Sequence, residues 1–293
     1  MPQTSQIRST THLAARMVLL PVFFALLCGG ATRADDAVRI VTEVPYKLGD
    51  VTDGERERCK LDFYVPAGGA EFATIVWFHG GALEAGDKSD EIAALVGRRF
   101  ATDGVAVASA GYRLHPDVTY PAYVEDAAAA VAFVRREIVK YGGSPRRLFL
   151  AGHSAGGYLT AMVGTDERYL AAHGVSLRDV AGLMPVAGQM ITHSTVRRER
   201  GIPKTRPTVD DAAPCYYASA NCPPLLCIAG SDDLPIRAEE NRFFVAAMKA
   251  AGHKDATYLE VEGRDHITVA GLMDEQDDVV ARAMLSFIER LKP

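Results

Sequence analysis

Short apolar runs alternate with amphipathic stretches along most of this chain. Residues 74–78 and 148–151 form apolar runs, which are typical of strands covered on both faces of a sheet. Residues 39–46 and 60–64 alternate apolar and polar positions, which predicts two edge strands joined by the turn-rich stretch 49–54. Further strands are predicted at residues 105–110, 180–186, 225–229 and 256–261.

Apolar positions recur at helical spacing between these strands. Ala127, Val131, Val134 and Ile138 form one stripe that faces a sheet, and two glycines end the helix at residues 142–143. Other helices are predicted at residues 90–102, 244–251 and 280–291. Strands that alternate with amphipathic helices predict an α/β fold, with a mostly parallel sheet and helices on both faces.

The first 34 residues have the pattern of a secretory signal. Arg8 and Arg16 precede the apolar run 17–27, and small residues lead to a cleavage site after Ala34. The apolar run is well short of the roughly 20 residues that a membrane-spanning helix needs. Bulky Leu27 argues against lipid attachment at Cys28. We therefore predict a signal peptide (1–34), a folded domain (35–293), a secreted or periplasmic location and no stable membrane anchor after cleavage.

Length, hydrophobic content and net charge limit the possible domain organisation and partners. A chain of 293 residues with 48% hydrophobic content can bury a full core as one domain. Signal removal would lower the net charge from −5 to −8, because that segment carries three arginines and no acidic residue. An acidic protein gains nothing from phosphate backbones, so we expect no nucleic-acid partner.

The cysteines allow several arrangements in an exported protein. Cys59, Cys215, Cys222 and Cys227 permit three pairings, of which the sequence favours Cys215 with Cys222 across a short polar loop. Cys227 lies in an apolar run and is expected to be a buried small hydrophobe. No cysteine has metal-ligand spacing with a histidine, so neither a metal nor another cofactor is expected.

A candidate nucleophile lies directly after the apolar run 148–151. Residues 152–156 read Gly-His-Ser-Ala-Gly, a G-x-S-x-G pattern between a predicted strand and a predicted helix. In that context Ser154 is expected at a strained turn, with its hydroxyl exposed and the positive end of the helix beside it. The pattern alone also fits a glycine-rich turn with an incidental serine, so partners elsewhere must decide.

A serine nucleophile needs a base, and the base needs an orienting acid. Asp232 and Asp233 follow the strand 225–229, and His266 follows the strand 256–261. The carboxyl ends of parallel strands meet at one edge of a sheet, so these groups are predicted to converge on Ser154. Asp233 is preferred over Asp232, which stays open, while Asp265 is badly placed to reach the adjacent ring.

Other histidines compete poorly for the same role. His115, His173, His193 and His253 lie in polar loops or at helix ends, where a solvated position is expected. His153 adjoins the serine, but neighbouring side chains at a sharp turn point apart.

Attack on a carbonyl also requires backbone N–H donors for the oxyanion. The amide of Ala155 and the loop amides of Gly80 and Gly81, which follow the strand 74–78, are the candidates.

With these residues the chain resembles α/β-hydrolases, specifically the hormone-sensitive-lipase-like and feruloyl-esterase-like carboxylesterases, and it is also similar to kynurenine formamidases. The resemblance extends over residues 38–291 and includes the stretches Leu61–Pro66, Gly86–Lys88, Tyr112–Leu114, Glu125–Asp126 and Gly152–Gly157. It implies Ser154 as nucleophile, His266 as general base and then acid, Asp233 as its orienter, and Gly80, Gly81 and Ala155 as the oxyanion hole.

Two segments limit what the resemblance implies about substrates. These families usually carry tryptophan where this chain has Leu83, after Ala82, and that change is expected to alter a wall of the site. Residues 189–224 are expected to be a small lid-like insertion with five basic residues. Those charges either favour a carboxylated substrate or are balanced by Glu199, Asp210 and Asp211.

Three functions remain open. The first is a serine esterase that cleaves small-molecule carboxylic esters through an acyl-enzyme. The second is an arylformamidase-type amidase or a peptidase on the same machinery, although the chain has no room for the propeller of prolyl-oligopeptidase-type enzymes. The third is a non-catalytic binding module, which is disfavoured because such proteins tend to lose the serine or the histidine.

Overall fold

The computed structural model describes residues 1–3, 38–203 and 205–292. The predicted signal peptide, its cleavage site and Cys28 lie outside the described residues. Within them, eight strands form one sheet: β1 (Val38–Pro45), β2 (Lys60–Pro66), β3 (Phe72–Phe78), β4 (Ala106–Ala110), β5 (Gly143–His153), β6 (Gly182–Val186), β7 (Leu225–Asp232) and β8 (Ala256–Asp265).

The α-helices of the described residues fall mostly between these strands: α1 (Asp53–Arg58), α2 (Glu91–Thr102), α3 (Ala122–Glu137), α4 (Ala155–Thr165), α5 (Glu167–Ala171), α6 (Ser194–Glu199), α7 (Arg237–Ala250), α8 (Thr268–Gly271) and α9 (Val279–Arg290). Short 3₁₀ turns occupy Ile138–Tyr141, Leu177–Asp179 and Pro214–Tyr217. None of the described helices combines the length and the apolar character needed to cross a bilayer.

The strand order is β1-β2-β4-β3-β5-β6-β7-β8. From β4 onward all neighbours are parallel, while β2 runs antiparallel to both β1 and β4. The predicted fold class, an α/β fold with a mostly parallel sheet, is confirmed. The carboxyl ends of β3, β5, β7 and β8 therefore open at one edge of the sheet, where the connecting loops converge.

Two apolar clusters cover the two faces of the sheet. Along β3, Val76 and Phe78 belong to the cluster that includes residues of α3, α4 and α7, whereas Ile75 and Trp77 belong to the one that includes residues of α2 and α9. Successive side chains of a strand point to opposite faces, so a strand buried on both faces must be apolar at nearly every position. This is the reason that residues 74–78 are recognisable from sequence.

The expectation that β2 is an edge strand is wrong. It lies between β1 and β4, and residues 61–66 are all buried. The polar position that suggested a water-facing side is Asp62, which forms an ion pair with Lys88 at 3.1 Å and accepts a hydrogen bond from the Glu43 amide at 2.9 Å. A buried carboxylate with such partners produces the same alternation as a solvated one.

The predicted Cys215–Cys222 bridge is also wrong, because all four cysteines of the described residues are free. Cys215 and Cys222 are each buried in the same apolar cluster. The thiol of Cys222 is directed at the carbonyl of Tyr217, 3.8 Å away. Burial raises the pKa of both thiols to about 11, so each is a protonated, packed group. Cys227 is buried as expected.

Two histidines expected in solvated positions are buried instead. His193 precedes α6, and its Nδ1 accepts a hydrogen bond from the Thr195 amide at 3.2 Å. His253 contacts the carbonyl of Cys222 at 2.9 Å through Nε2. Each imidazole thus forms a hydrogen bond with a buried backbone group outside the regular bonding of a helix or a strand, since the Thr195 amide lies in the first turn of α6 and Cys222 lies in a loop.

Candidate active site

The turn from β5 into α4 places Ser154 in a strained conformation. Its φ of 57° and ψ of −113° lie in a region that non-glycine residues rarely adopt. The turn closes only because residue 156 is glycine, since a Cβ there would lie 1.9 Å from the carbonyl oxygen of Phe78. The serine is thereby held at the edge of the sheet where β3 and β5 end.

Three side chains from separate strand ends meet at this turn. Ser154 Oγ lies 2.8 Å from His266 Nε2, and His266 Nδ1 lies 2.7 Å from Asp233 Oδ1. Asp233 follows β7 and is almost fully buried, while His266 follows β8 and keeps 16% of its side chain exposed. Because the Nδ1–H group donates a hydrogen bond to the carboxylate, Nε2 carries no proton and can accept that of the serine hydroxyl.

The structure distinguishes the three candidate carboxylates. Asp232 is exposed and accepts a hydrogen bond from Ser231. Asp265 accepts hydrogen bonds from the amide and the hydroxyl of Thr268, both at 2.7 Å, and so closes its own turn at the start of α8. Asp233 alone of the three contacts the ring of His266.

His153 was not expected to take part in the site, and it does. Its Nε2 donates a hydrogen bond to the carbonyl of His266 at 2.6 Å, and the two ring centroids lie 4.9 Å apart. Burial, followed by the proximity of His266, lowers the pKa of His153 to about 4, so the ring is neutral at physiological pH. No local signal points to this contact, because it joins residues 113 positions apart.

The loop after β3 lies against Ser154. A Cβ on Gly80 would lie 3.4 Å from the Cβ of Ser154, which shows how closely the two backbones approach. Gly81 has a φ of 106°, and its carbonyl accepts hydrogen bonds from the amides of Glu84 and Ala85, both at 2.9 Å. Ala155 is the first residue of α4. The amides of Gly80, Gly81 and Ala155 thus belong to backbone segments that border the serine.

A cavity of about 400 Å³ opens beside the serine. Its described lining consists of Trp77, Gly80, Gly81, Ala82, Gly86, Asp90, Ile92, His153, Ser154, Leu234, His266 and Ile267. The expectation that Leu83 forms a wall of the site is wrong. Leu83 is fully buried in the core, and Ala82 faces the cavity instead. Both residues have positive φ, so the loop turns sharply and directs consecutive side chains to different environments.

Residues 189–224 connect β6 to β7 and pack against the same loop. Thr195 donates its hydroxyl to the carbonyl of Ala82 at 2.6 Å and lies 2.9 Å from a carboxylate oxygen of Glu84, which also pairs with Arg198.

Two of the basic residues of this segment, Arg198 and Arg200, form ion pairs with acids. Arg200 pairs with Asp210 at 2.6 Å and with Asp211 at 2.9 Å. Glu199 accepts hydrogen bonds from the hydroxyl of Tyr123 at 2.7 Å and from the amide of Tyr120 at 3.0 Å. Asp210 and Asp211 therefore balance Arg200, as the second interpretation expects, whereas Glu199 contacts two tyrosines and His115. That the segment acts as a lid stays a prediction.

Comparisons with known proteins agree with this architecture. The BD-FAE family model matches residues 61–176. A probable isoprenylcysteine alpha-carbonyl methylesterase from Oryza sativa subsp. japonica is 28% identical over 244 residues, which are 76% of this chain and 58% of that protein. Kynurenine formamidase from Danio rerio is 24% identical over 271 residues, which are 89% of this chain and 86% of that protein.

A solved structure shares the fold over nearly its whole length. A truncated carbohydrate esterase from gut microbiota superposes with a TM-score of 0.72 at 21% identity, over 88% of this chain and 98% of that one. The chain spans little more than half of the rice relative. The sheet order, the serine turn and the structural likeness show the α/β-hydrolase fold, and the chain is similar to the BD-FAE family and to esterases whose motifs it resembles.

Proposed function

We propose that the chain is a serine hydrolase of small-molecule carboxylic esters. The observation that carries this proposal is the pair of hydrogen bonds, 2.8 Å and 2.7 Å long, that joins Ser154, His266 and Asp233. They link a hydroxyl, an imidazole and a carboxylate in the arrangement that activates a serine. The esterase named among the relatives supports the same activity.

The proposed reaction has two halves. Ser154 Oγ attacks the ester carbonyl while His266 Nε2 takes its proton, and the amides of Gly80, Gly81 and Ala155 donate to the oxyanion. Collapse of the tetrahedral intermediate breaks the bond to the alkoxy group, which leaves with the proton from His266. Water then attacks the acyl-enzyme by the reverse proton path, and the carboxylic acid departs. Asp233 keeps the imidazole in the tautomer that both halves need.

Hydrolysis of p-nitrophenyl acetate tests the proposal. Ser154→Ala should lower kcat by about 10⁴-fold or more, because the nucleophile is lost while the fold remains. Ser286→Ala, an exposed serine of α9, is the matched control and should keep the parent rate. Absence of turnover by the parent protein on every short-chain ester, or full activity in Ser154→Ala, would contradict it.

An arylformamidase is the second candidate, favoured by the formamidase relative that matches 89% of this chain. The same nucleophile would attack a formyl carbonyl, and the arylamine would leave with the proton from His266. A direct comparison of kcat/KM for phenyl acetate and for an N-formyl arylamine separates the two. A higher value for the formamide would favour the second candidate.

Export is proposed on the sequence pattern alone. Residues 1–34 are proposed to be removed as a signal peptide, which leaves a secreted or periplasmic enzyme. N-terminal sequencing of the protein recovered from the producing cells should begin at Asp35. Recovery of a chain that still begins with Met1 would refute cleavage.

A further inference from the structure

The cavity beside Ser154 is lined almost entirely by apolar side chains and glycines. Apart from the serine and the two histidines at its reactive end, the described lining contains a single side chain that carries a charge, Asp90. The large apolar residues of the lining are Trp77, Ile92, Leu234 and Ile267. A lone carboxylate beside apolar walls has a large effect on what binds there, since little else in the cavity screens its charge.

Asp90 is held in place by the helix that follows it. It is the N-cap of α2, and its Oδ1 accepts a hydrogen bond from the Ala93 amide at 2.8 Å. This bond fixes the carboxylate at the start of a twelve-residue helix. The position of the charge therefore does not depend on a substrate being present.

The charge of Asp90 is not paired with a cation within the described part of the chain. Burial raises the pKa of Asp90, and the neighbouring charge of Asp87 acts in the same direction. The nearby Lys88 binds Asp62 and Glu43 instead. Arg58 pairs with Asp87 at 3.4 Å and donates to the carbonyl of Gly86 at 2.7 Å. The negative charge thus remains available to a group in the cavity.

We propose that Asp90 determines specificity by charge, so that the cavity disfavours an anionic substituent of the ester and accepts an uncharged apolar one. This inference rests on the proposed esterase function. The ester carbonyl lies at Ser154, and one of its two substituents occupies the cavity. A sphere of about 400 Å³, the volume of the cavity, has a diameter of about 9 Å, so an anionic substituent inside lies within about that distance of Asp90. At that distance the repulsion between the two charges is worth about tenfold in kcat/KM.

The substituent that enters the cavity is either the acyl or the alkoxy group, and two substrate pairs distinguish them. Mono-p-nitrophenyl adipate and methyl p-nitrophenyl adipate differ by one charge on the acyl side. The 4-acetoxybenzoate anion and its methyl ester differ by one charge on the alkoxy side. For each pair, the quantity measured is the ratio of kcat/KM for the neutral ester to that for the anionic ester, at pH 8 and low ionic strength.

Asp90→Asn is the informative variant, because an asparagine side-chain oxygen still caps α2 while the charge is removed. The ratio should fall about tenfold in this variant for one of the two pairs, and that pair identifies the group in the cavity. Glu91→Gln is the matched control. It removes one negative charge from the adjacent, exposed residue, which does not line the cavity, and should leave both ratios within about twofold.

The possible outcomes separate this inference from the proposed function. Ratios that are the same in Asp90→Asn and in the parent for both pairs would overturn it, as would an equal shift in Glu91→Gln. Hydrolysis of the neutral esters with no change in either ratio leaves the esterase proposal intact and removes only the role of Asp90. A parent protein that hydrolyses neither these four esters nor any short-chain ester such as p-nitrophenyl acetate refutes the esterase proposal and, with it, the inference that rests on it.

Discussion

Replacing His153 tests whether its hydrogen bond positions the base of the candidate triad. Its buried Nε2 donates to the carbonyl of His266 at 2.6 Å, and the ring of that same residue lies 2.8 Å from Ser154. His153→Leu fills similar space but leaves the carbonyl without its donor, which costs about 1–3 kcal/mol. A displacement of the base by about 1 Å costs about 10²-fold in rate. We expect kcat to fall between about 10-fold and 100-fold, with KM nearly unchanged.

Two amide variants make this prediction specific. The side-chain nitrogen of Gln lies as many bonds from Cβ as Nε2 of histidine does, whereas that of Asn lies one bond nearer. His153→Gln should therefore recover most of the lost kcat, and His153→Asn should not. The assay is the hydrolysis of p-nitrophenyl acetate, with the active fraction titrated by a phosphonate and Tm measured in parallel.

The pattern among the variants decides the outcome. Equal kcat in the Gln, Asn and Leu variants would refute a positioning role, whether all three match the parent or all three fall together. A loss explained fully by a lower active fraction would mean that His153 serves stability alone. Burial lowers the pKa of His153 to about 4, so at the pH of the assay the ring is neutral and its Nε2–H tautomer donates the bond to the carbonyl of His266.

Three further predictions concern stability and the state of the cysteines. Burial lowers the pKa of His193 to about 3, below its value in the unfolded chain, so the unfolded state binds the proton first and stability falls as the pH drops below about 6.5. His193→Asn can still cap α6, and between pH 7.5 and pH 5 its free energy of unfolding in urea should fall by about 2 kcal/mol less than that of the parent. Parallel curves of stability against pH for the two proteins would contradict this. Gly156→Ala should yield no folded protein, because its Cβ would lie 1.9 Å from a backbone carbonyl oxygen. The control Gly68→Ala, whose Cβ has nothing within 4 Å, should keep the Tm of the parent. A normal yield of folded Gly156→Ala would show that the turn is less tightly closed than this distance requires. Cys215 and Cys222 should both be alkylated after unfolding without reductant, and a cross-linked peptide in mass spectrometry would restore the disulfide.

Local patterns predict most of the sheet because its central strands, which are covered on both faces, must be apolar at nearly every position. Residues 74–78 are apolar since both faces of β3 are covered, and the serine turn is marked by glycines that its geometry requires. The helix α1 was missed although its signal is present. Thr52 and Glu55 form a capping box at its start, within a stretch whose glycines and aspartates indicate a turn.

The remaining differences come from contacts between distant residues. The buried position of Asp62 depends on Lys88, and the role of His153 depends on the loop after β8. For Cys215 and Cys222, short spacing suggested a bridge, but packing in the core determines where each thiol lies. The preference for Asp233 over Asp232 agrees with the geometry, yet only coordinates show which carboxylate reaches the ring.

The bonds from Thr195 and Arg198 to the loop of Ala82 and Glu84 have a practical consequence for protein engineering. The segment between β6 and β7 therefore cannot be exchanged on its own for that of a related protein to alter selectivity. A transplanted segment without a hydroxyl at position 195 would release the loop that carries Gly80 and Gly81. Chimeras of this protein should therefore transfer both stretches as a matched pair.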